Sequence, residues 1–202
     1  AIKKDHGFYW FSLPLLLGFS FFSKQIPSVY LSILFIISIS IYLIIKKFKK
    51  IEFVAYLFYG FVSLILICSS VIIINEIPIK SLFIQYILYP ISIGEERSLN
   101  LNLNFNNFFL QFKFIYFSLL PLIFPTYYLI KLKRKKYQNS VDILILFTLL
   151  FSVFIFLYSQ LMTKNQILIF FIIPFCLGMS HYYINNYTKN IKLIYVLFFI
   201  II

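Results

Sequence analysis

Residues 25–45 read QIPSVYLSILFIISISIYLII and contain no charged side chain. An apolar run of about twenty residues has the length of an α-helix that crosses the hydrocarbon core of a membrane. Comparable uncharged runs occupy Gly7–Ser23, Phe53–Asn75, Phe114–Ile130, Ile143–Thr163 and Asn165–Asn186. We therefore predict an all-α fold, a polytopic transmembrane helix bundle of six complete spans, with Leu193–Ile202 as a truncated seventh span.

The composition excludes the soluble classes of protein. Of the 202 residues, 62% are hydrophobic and 12% are charged, whereas a soluble domain is about half apolar and a quarter charged. Cys68 and Cys176 both lie inside apolar runs, which excludes a disulfide scaffold. No His, Cys or acidic residues have the spacing of metal ligands, and no nucleotide-binding motif occurs, so we predict neither a metal nor a cofactor.

The two ends of the sequence indicate a piece of a longer protein. The first residue is Ala1, and the apolar run from Leu193 continues to the last residue. That final run would cover only about 15 Å, half of the hydrocarbon core, and a helix ending there would leave backbone groups unsatisfied in lipid. We expect 1–202 to be a single transmembrane domain of a larger chain.

The positive charges set the orientation of the spans. A cytoplasmic N-terminus places every Lys and Arg on the cytoplasmic side except Lys24, Lys80, Arg97, Lys113 and Lys164. This distribution is typical of the positive-inside rule. The net charge of +12 is then mainly an insertion signal whose partner is the lipid bilayer with its anionic headgroups. It does not indicate nucleic-acid binding.

Three short polar motifs fall on the predicted outer face, and they contain the candidate site residues. The motifs are Ser23–Pro27 between the first two spans, Gly94–Arg97 in the long outer loop, and Thr163–Gln166 between the last two complete spans. Cations at an outer interface are suited to a lipid phosphate or diphosphate. The predicted phosphate-binding residues are Lys24, Gln25, Arg97, Lys164, Asn165 and Gln166.

Each motif also has a structural interpretation. Lys24 and Lys164 at helix ends are typical of lysines that extend toward the headgroups as anchors. Gln25 and the pair Asn165–Gln166 are suited to capping helices. The acidic residues of Gly94–Arg97 could pair with the arginine in a solvated turn.

The long outer loop, 76–113, contains a shorter helical pattern. Pro78 is suited to a helix start, and apolar residues recur at helical spacing up to Tyr89–Pro90. We predict a helix over about 78–89 that lies in the outer membrane interface, because it is too short to span. After Arg97, Leu and Asn alternate with a period of two, which is compatible with an extended segment.

Asp142 lies at the predicted cytoplasmic start of the fifth span. A carboxylate there is suited to the positive end of the helix dipole. A role in a proton relay is the alternative interpretation.

The outer motifs, in this order, resemble segments of the GT-C glycosyltransferases, the polytopic enzymes related to protein O-mannosyltransferases and the lipid A aminoarabinose transferase. The similar segments are Gly18–Pro27 (GFSFFSKQIP), Gln85–Pro90 (QYILYP), Gly94–Arg97 (GEER) and Thr163–Gln166 (TKNQ). The resemblance implies transfer of a sugar from a polyprenyl-phosphate or polyprenyl-diphosphate donor to an acceptor on the extracytoplasmic face. It also implies that Lys24, Arg97 and Lys164 stabilise the departing lipid phosphate. The catalytic acidic residue of the family lies upstream of the matching region, so no catalytic residue is assigned here.

Two other functions remain open. A transporter or lipid flippase would carry polar residues along a path through the membrane, and the spans contain few of these. A non-catalytic subunit of a membrane complex is the other alternative, encoded in an AT-rich organellar genome. On the enzyme hypothesis we expect the bacterial inner membrane as the location.

Overall fold

The computed structural model describes residues 6–46, 51–99, 104–131, 136–163 and 167–187. These residues are almost entirely helical and contain no β-strand, so the predicted all-α fold class is confirmed for them. The α-helices are α1 Gly7–Ser23, α2 Gln25–Ile45, α3 Glu52–Ile74, α4 Ile79–Phe83, α5 Tyr89–Leu99, α6 Lys113–Lys131, α7 Lys136–Thr163 and α8 Ile172–Tyr187. Two π-helical segments, Ile84–Leu88 and Asn106–Leu110, and one 3₁₀-helix, Ile167–Phe171, complete the sequence of elements.

Three helical segments are long and apolar enough to cross a membrane: Gln25–Ile45, Glu52–Ile74 and Ser140–Thr163. Their outward faces carry large apolar side chains, among them Ile36 and Leu66, which are 64% and 62% exposed. Apolar surface on this scale is typical of a protein solvated by lipid. These three segments are therefore compatible with membrane spans. The helix α1 is also apolar, but it is shorter.

The observed helix bounds differ from the predicted spans mainly in the second half of the chain. α1 and α2 have the predicted limits, and α3 is displaced by one residue. α7 begins at Lys136, well before the predicted Ile143, and its first turns are polar. A charge-free window locates the membrane-crossing part of a helix, whereas the helix itself can continue through polar residues of adequate helix propensity.

Pro174 explains why the last described helix changes form. The predicted span Asn165–Asn186 is a 3₁₀-helix over Ile167–Phe171 followed by α8. Proline lacks the N–H that an α-helix interior requires, but it is tolerated in the first turn. Pro174 is the third residue of α8 and lies directly after the change from 3₁₀ to α winding.

The helix predicted over 78–89 continues beyond Pro90. It runs from Ile79 through the π-helical segment Ile84–Leu88 into α5, which ends at Leu99. Pro90 lies inside this continuous helix, directly after the π-helical segment, and the i→i+5 winding there relieves the clash of the proline ring with the preceding turn. The motif Gly94–Arg97 is consequently helical and not a turn. The Leu/Asn alternation lies largely outside the described residues, and its end, Asn106, begins a π-helical segment.

The chain divides into two compact units, Ala1–Leu101 and Asn102–Ile202. In the first unit α1 packs against both α2 and α3. The helices α1 and α3 approach closely because position 60 is a glycine. Its backbone lies against the carbonyl of Phe11, where a Cβ would have no room. Trp10 is fully buried beside this contact, stacked on Phe53 at 5.1 Å between ring centroids.

In the second unit α6 packs against α7 and α8 around a buried apolar core. Leu122 of α6, Leu157 of α7 and Cys176 of α8 are among the fully buried side chains of that core. The single transmembrane domain over 1–202 stays a prediction. The predicted seventh span, Leu193–Ile202, lies outside the described residues.

Candidate functional site

Lys24 is the only residue between α1 and α2. Its backbone is extended, with φ −151° and ψ 104°, and its N–H donates to the carbonyl of Ser20 at 2.8 Å. This hydrogen bond closes the last turn of α1, as expected for the residue that follows a helix. The chain therefore reverses direction in one residue, and Lys24 stands at the tip of the hairpin.

Two serines hold the tip in place from both sides. Ser28, which is 3% exposed, donates through Oγ to the carbonyl of Lys24 at 2.7 Å. Ser20 Oγ lies 2.9 Å from Ser28 Oγ and links the two helices. Ser20 and Ser28 are each four residues from Lys24, on opposite helices, so one helical turn on either side brings their hydroxyls together. The backbone of Lys24 is consequently held by two hydrogen bonds, one to the Ser20 carbonyl and one from the Ser28 hydroxyl.

The Lys24 ammonium has no carboxylate counter-ion among the described residues. The side chain is partly exposed, and within the described ranges it forms no ion pair with a carboxylate. α2 begins beside it with no side-chain cap, so Gln25 does not take the capping position. Uncapped N–H groups at a helix start carry partial positive charge and add to that of the lysine. The negative end of α1 partly offsets this field.

An aromatic contact brings the helix over 79–99 to this hairpin. Phe22 in the last turn of α1 packs edge-to-face on Tyr86 at 5.3 Å between ring centroids. Tyr86 is partly buried, whereas α4 and the π-helical segment contain no fully buried residue. Phe22 precedes Lys24 by two residues, so this contact brings the middle of the long helix close to the hairpin.

Arg97 lies in the last turn of α5 and is exposed. Eleven residues separate it from Tyr86, which is about 16 Å along a helix axis. A Cβ on Gly94 would meet nothing within 4 Å, so there is open space beside α5 at this position. The structure thus joins Lys24 and Gln25 and brings Tyr86 to them, while Arg97 lies several turns away on the same helix. Lys164, Asn165 and Gln166 lie outside the described residues.

Asp142 differs from its predicted setting. Because α7 begins at Lys136, Asp142 lies in the second turn, beyond the reach of the helix-dipole interaction expected for it. The side chain is 2% exposed, and Tyr183 of α8 donates its hydroxyl to Oδ1 at 3.5 Å. The carboxylate therefore faces the interior of the second unit.

Several polar residues of the interior have no sequence pattern that would have revealed them. Ser159 and Gln160 of α7 are buried, and Ser159 Oγ and Gln160 Oε1 have no hydrogen-bond partner among the residues that the structure describes. One sequence pattern indicates Ser20 and Ser28: each lies four residues from Lys24, on either side. Among the residues that the structure describes, no group of three or more His, Cys, Asp or Glu could hold a metal ion.

Comparison with known proteins identifies no relative of this chain: no family model, curated protein or solved structure matches it.

Proposed function

We propose that this chain is part of a membrane glycosyltransferase whose Lys24 hairpin binds the phosphate of a polyprenyl-phosphate or polyprenyl-diphosphate sugar donor. One observation carries the proposal: the Lys24 backbone is fixed by Ser20 and Ser28 while its ammonium has no carboxylate partner within the described ranges. The held backbone positions the base of the side chain at the tip of the hairpin, and an ammonium without a carboxylate partner there can form a charge-assisted hydrogen bond with a phosphate. The resemblance of Gly18–Pro27 to GT-C enzymes supports the same assignment.

The chemistry explains why a fixed cation would be useful. In the transfer step the bond between the anomeric carbon of the sugar and a phosphate oxygen breaks, and the phosphate leaves with the bonding electrons. The acceptor forms the new bond to that carbon and gives its proton to a base. Lys24 stabilises the negative charge that develops on the departing phosphate. By the resemblance, the base lies upstream of this chain, and Arg97 and Lys164 are further phosphate ligands.

The proposed topology has six complete spans, a further span from Leu193, and a cytoplasmic N-terminus in a bacterial inner membrane. The lengths of the shorter helices support it, since α1 and α6 have 17 and 19 residues and a tilted or thinned bilayer accommodates spans of this length. In this topology the helix over 79–99 lies in the outer interface. Exposed apolar residues such as Ile79 and Tyr89 support that position.

The decisive experiment measures binding of undecaprenyl phosphate to the protein in phosphatidylcholine nanodiscs. Lys24→Ala should weaken binding about tenfold or more, which is typical for loss of one charge-assisted hydrogen bond. Lys80→Ala is the matched control, because Lys80 is an exposed lysine of the same unit, on α4. In the full-length enzyme, Lys24→Ala and Arg97→Ala should abolish sugar transfer and leave membrane insertion intact. Equal binding by Lys24→Ala and Lys80→Ala would remove the phosphate role.

A transporter is the second candidate, and the burial of Asp142 favours it. An ionisable residue facing the interior of a membrane bundle is typical of ion or proton pathways. Asp142→Asn should then abolish proton-coupled flux across proteoliposomes. Sugar transfer that persists in the same variant would instead favour the enzyme.

A further inference from the structure

The 104–112 segment, which directly precedes α6, carries two large aromatic side chains on its surface. Phe105 is 67% exposed and Phe109 is 47% exposed. Their ring centroids are 5.1 Å apart, and the Phe109 ring lies 5.6 Å from the ring of Tyr116 in the first turn of α6. The three rings therefore form one continuous apolar surface, and two of them are open to the surroundings.

The segment is a folded element that is held against α6. Its central part is the π-helical segment Asn106–Leu110. The Tyr116 hydroxyl donates to the carbonyl of Phe108 at 3.1 Å, and the rings of these two residues lie 6.1 Å apart. Phe112, the last residue of the segment, is fully buried. The aromatic surface thus has a fixed place beside the first turn of α6.

Exposed polar side chains alternate with the rings. Asn104, Asn106 and Asn107 are all exposed. Lys113, the first residue of α6, is also exposed, and its Nζ lies 5.1 Å from the centroid of the Phe114 ring. Exposed phenyl rings are unfavourable in water, whereas amides and an ammonium are unfavourable in hydrocarbon. The boundary between lipid headgroups and acyl chains suits both kinds of side chain.

The start of α6 gives the level of the segment relative to the membrane. In the proposed topology α6 crosses the bilayer, and its uncharged stretch begins at Phe114, directly after Lys113. A lysine at the end of a span lies at the level of the headgroups. Exposed apolar side chains of α6, such as Phe117 and Ile123, continue from there toward the bilayer centre. Because the 104–112 segment is held to the first turn of α6, it lies at the same boundary.

We propose that the 104–112 segment is an interfacial anchor whose partner is the outer surface of the lipid bilayer, with Phe105 and Phe109 inserted among the upper parts of the acyl chains. The inference rests on the topology proposed above and goes beyond it, because that topology gives the segment no place. Insertion of the two rings fixes the depth of α6, since movement of the helix along the membrane normal would carry the rings into water or the amides into hydrocarbon.

Fluorescence quenching in vesicles of brominated phosphatidylcholine measures the depth of the segment. The bromines lie either near the headgroup or near the end of the acyl chain. Phe109→Trp reports on the segment, and Ile123→Trp reports on α6 at about 15 Å from Lys113 along the helix axis. Both positions are exposed, so tryptophan fits at either. The unmodified protein, whose one tryptophan is Trp10, gives the background to be subtracted.

The two reporters should respond oppositely. Phe109→Trp should lose more fluorescence to the shallow bromines than to the deep ones, and Ile123→Trp should lose more to the deep ones. Quenching of Ile123→Trp without quenching of Phe109→Trp would place the segment in water, which overturns the anchor and leaves the topology intact. Stronger quenching of Phe109→Trp by the deep bromines would also overturn the anchor.

Failure of the topology has a different signature. Absence of quenching in Ile123→Trp by either lipid would show that α6 does not cross the bilayer, and the anchor would be overturned with it. Phe105→Trp, on the same aromatic surface, is the second reporter if Phe109→Trp does not fold.

Discussion

Gly60→Ala tests how closely α1 and α3 approach each other. A Cβ at position 60 would overlap the carbonyl oxygen of Phe11, well inside the 3.0 Å below which real Cβ contacts essentially never fall. The obstructing atom is backbone, so no side chain can move aside. The two helices would have to separate by about 1 Å, a gap that forfeits a quarter to a half of each contact's dispersion energy.

The expected loss of stability follows from two opposing terms. Overpacking costs about 1–3 kcal/mol, and we take the upper end because backbone must move. Alanine recovers about 1 kcal/mol through its higher helix propensity. The free energy of unfolding should therefore fall by about 2 kcal/mol, and the midpoint of thermal unfolding by about 4–8 °C for a chain of this size.

The fluorescence of Trp10 is a direct assay, because the chain has one tryptophan and that residue is stacked on Phe53 of α3. Gly94→Ala and Gly178→Ala are the matched controls, since a Cβ at either position would meet nothing within 4 Å. The midpoint of thermal unfolding of both variants should equal or slightly exceed that of the unmodified protein. The unfolding midpoint of Gly18→Ala should lie between those of Gly60→Ala and the controls, because a Cβ at position 18 is obstructed only by the Leu64 side chain, which can move. Gly60→Ala melting as high as Gly94→Ala would refute the close packing.

Two further substitutions test the polar contacts. Ser28→Ala removes both hydrogen bonds of the Ser28 hydroxyl at the hairpin. The free energy of unfolding should fall by about 1 kcal/mol, and undecaprenyl phosphate binding should weaken. If stability falls but binding does not change, the serine has a structural role only. Tyr183→Phe removes the hydroxyl that donates to Asp142 at 3.5 Å and should lower the free energy of unfolding by about 1 kcal/mol; a thermal-unfolding midpoint equal to that of the unmodified protein would contradict this contribution.

The sequence predicted helix ends well where charge and apolar residues meet abruptly. Lys24 interrupts two uncharged runs, and the helices end on either side of it as expected. α7 begins earlier than predicted because hydropathy does not mark the end of a helix in polar sequence. Pro90 indicated a helix end, but the preceding π-helical turn gave the proline an acceptable position.

The interior of the site was less predictable for a different reason. A uniformly apolar helix shows no polar face, so the sequence does not distinguish the side facing lipid from the side facing other helices. Asp142 and Gln160 are therefore buried without any preceding signal. The contact of Phe22 with Tyr86 joins residues far apart in sequence, and neither spacing nor composition predicts such a pair.

The π-helical segment Ile84–Leu88 amounts to one surplus residue in an otherwise regular helix. Wound as an ordinary α-helix with the same number of residues, the segment would turn everything downstream by about 100° around the axis, and Arg97 would emerge on a different side while every helix remained intact. The local winding of five residues thus sets the direction in which a distant cation is presented.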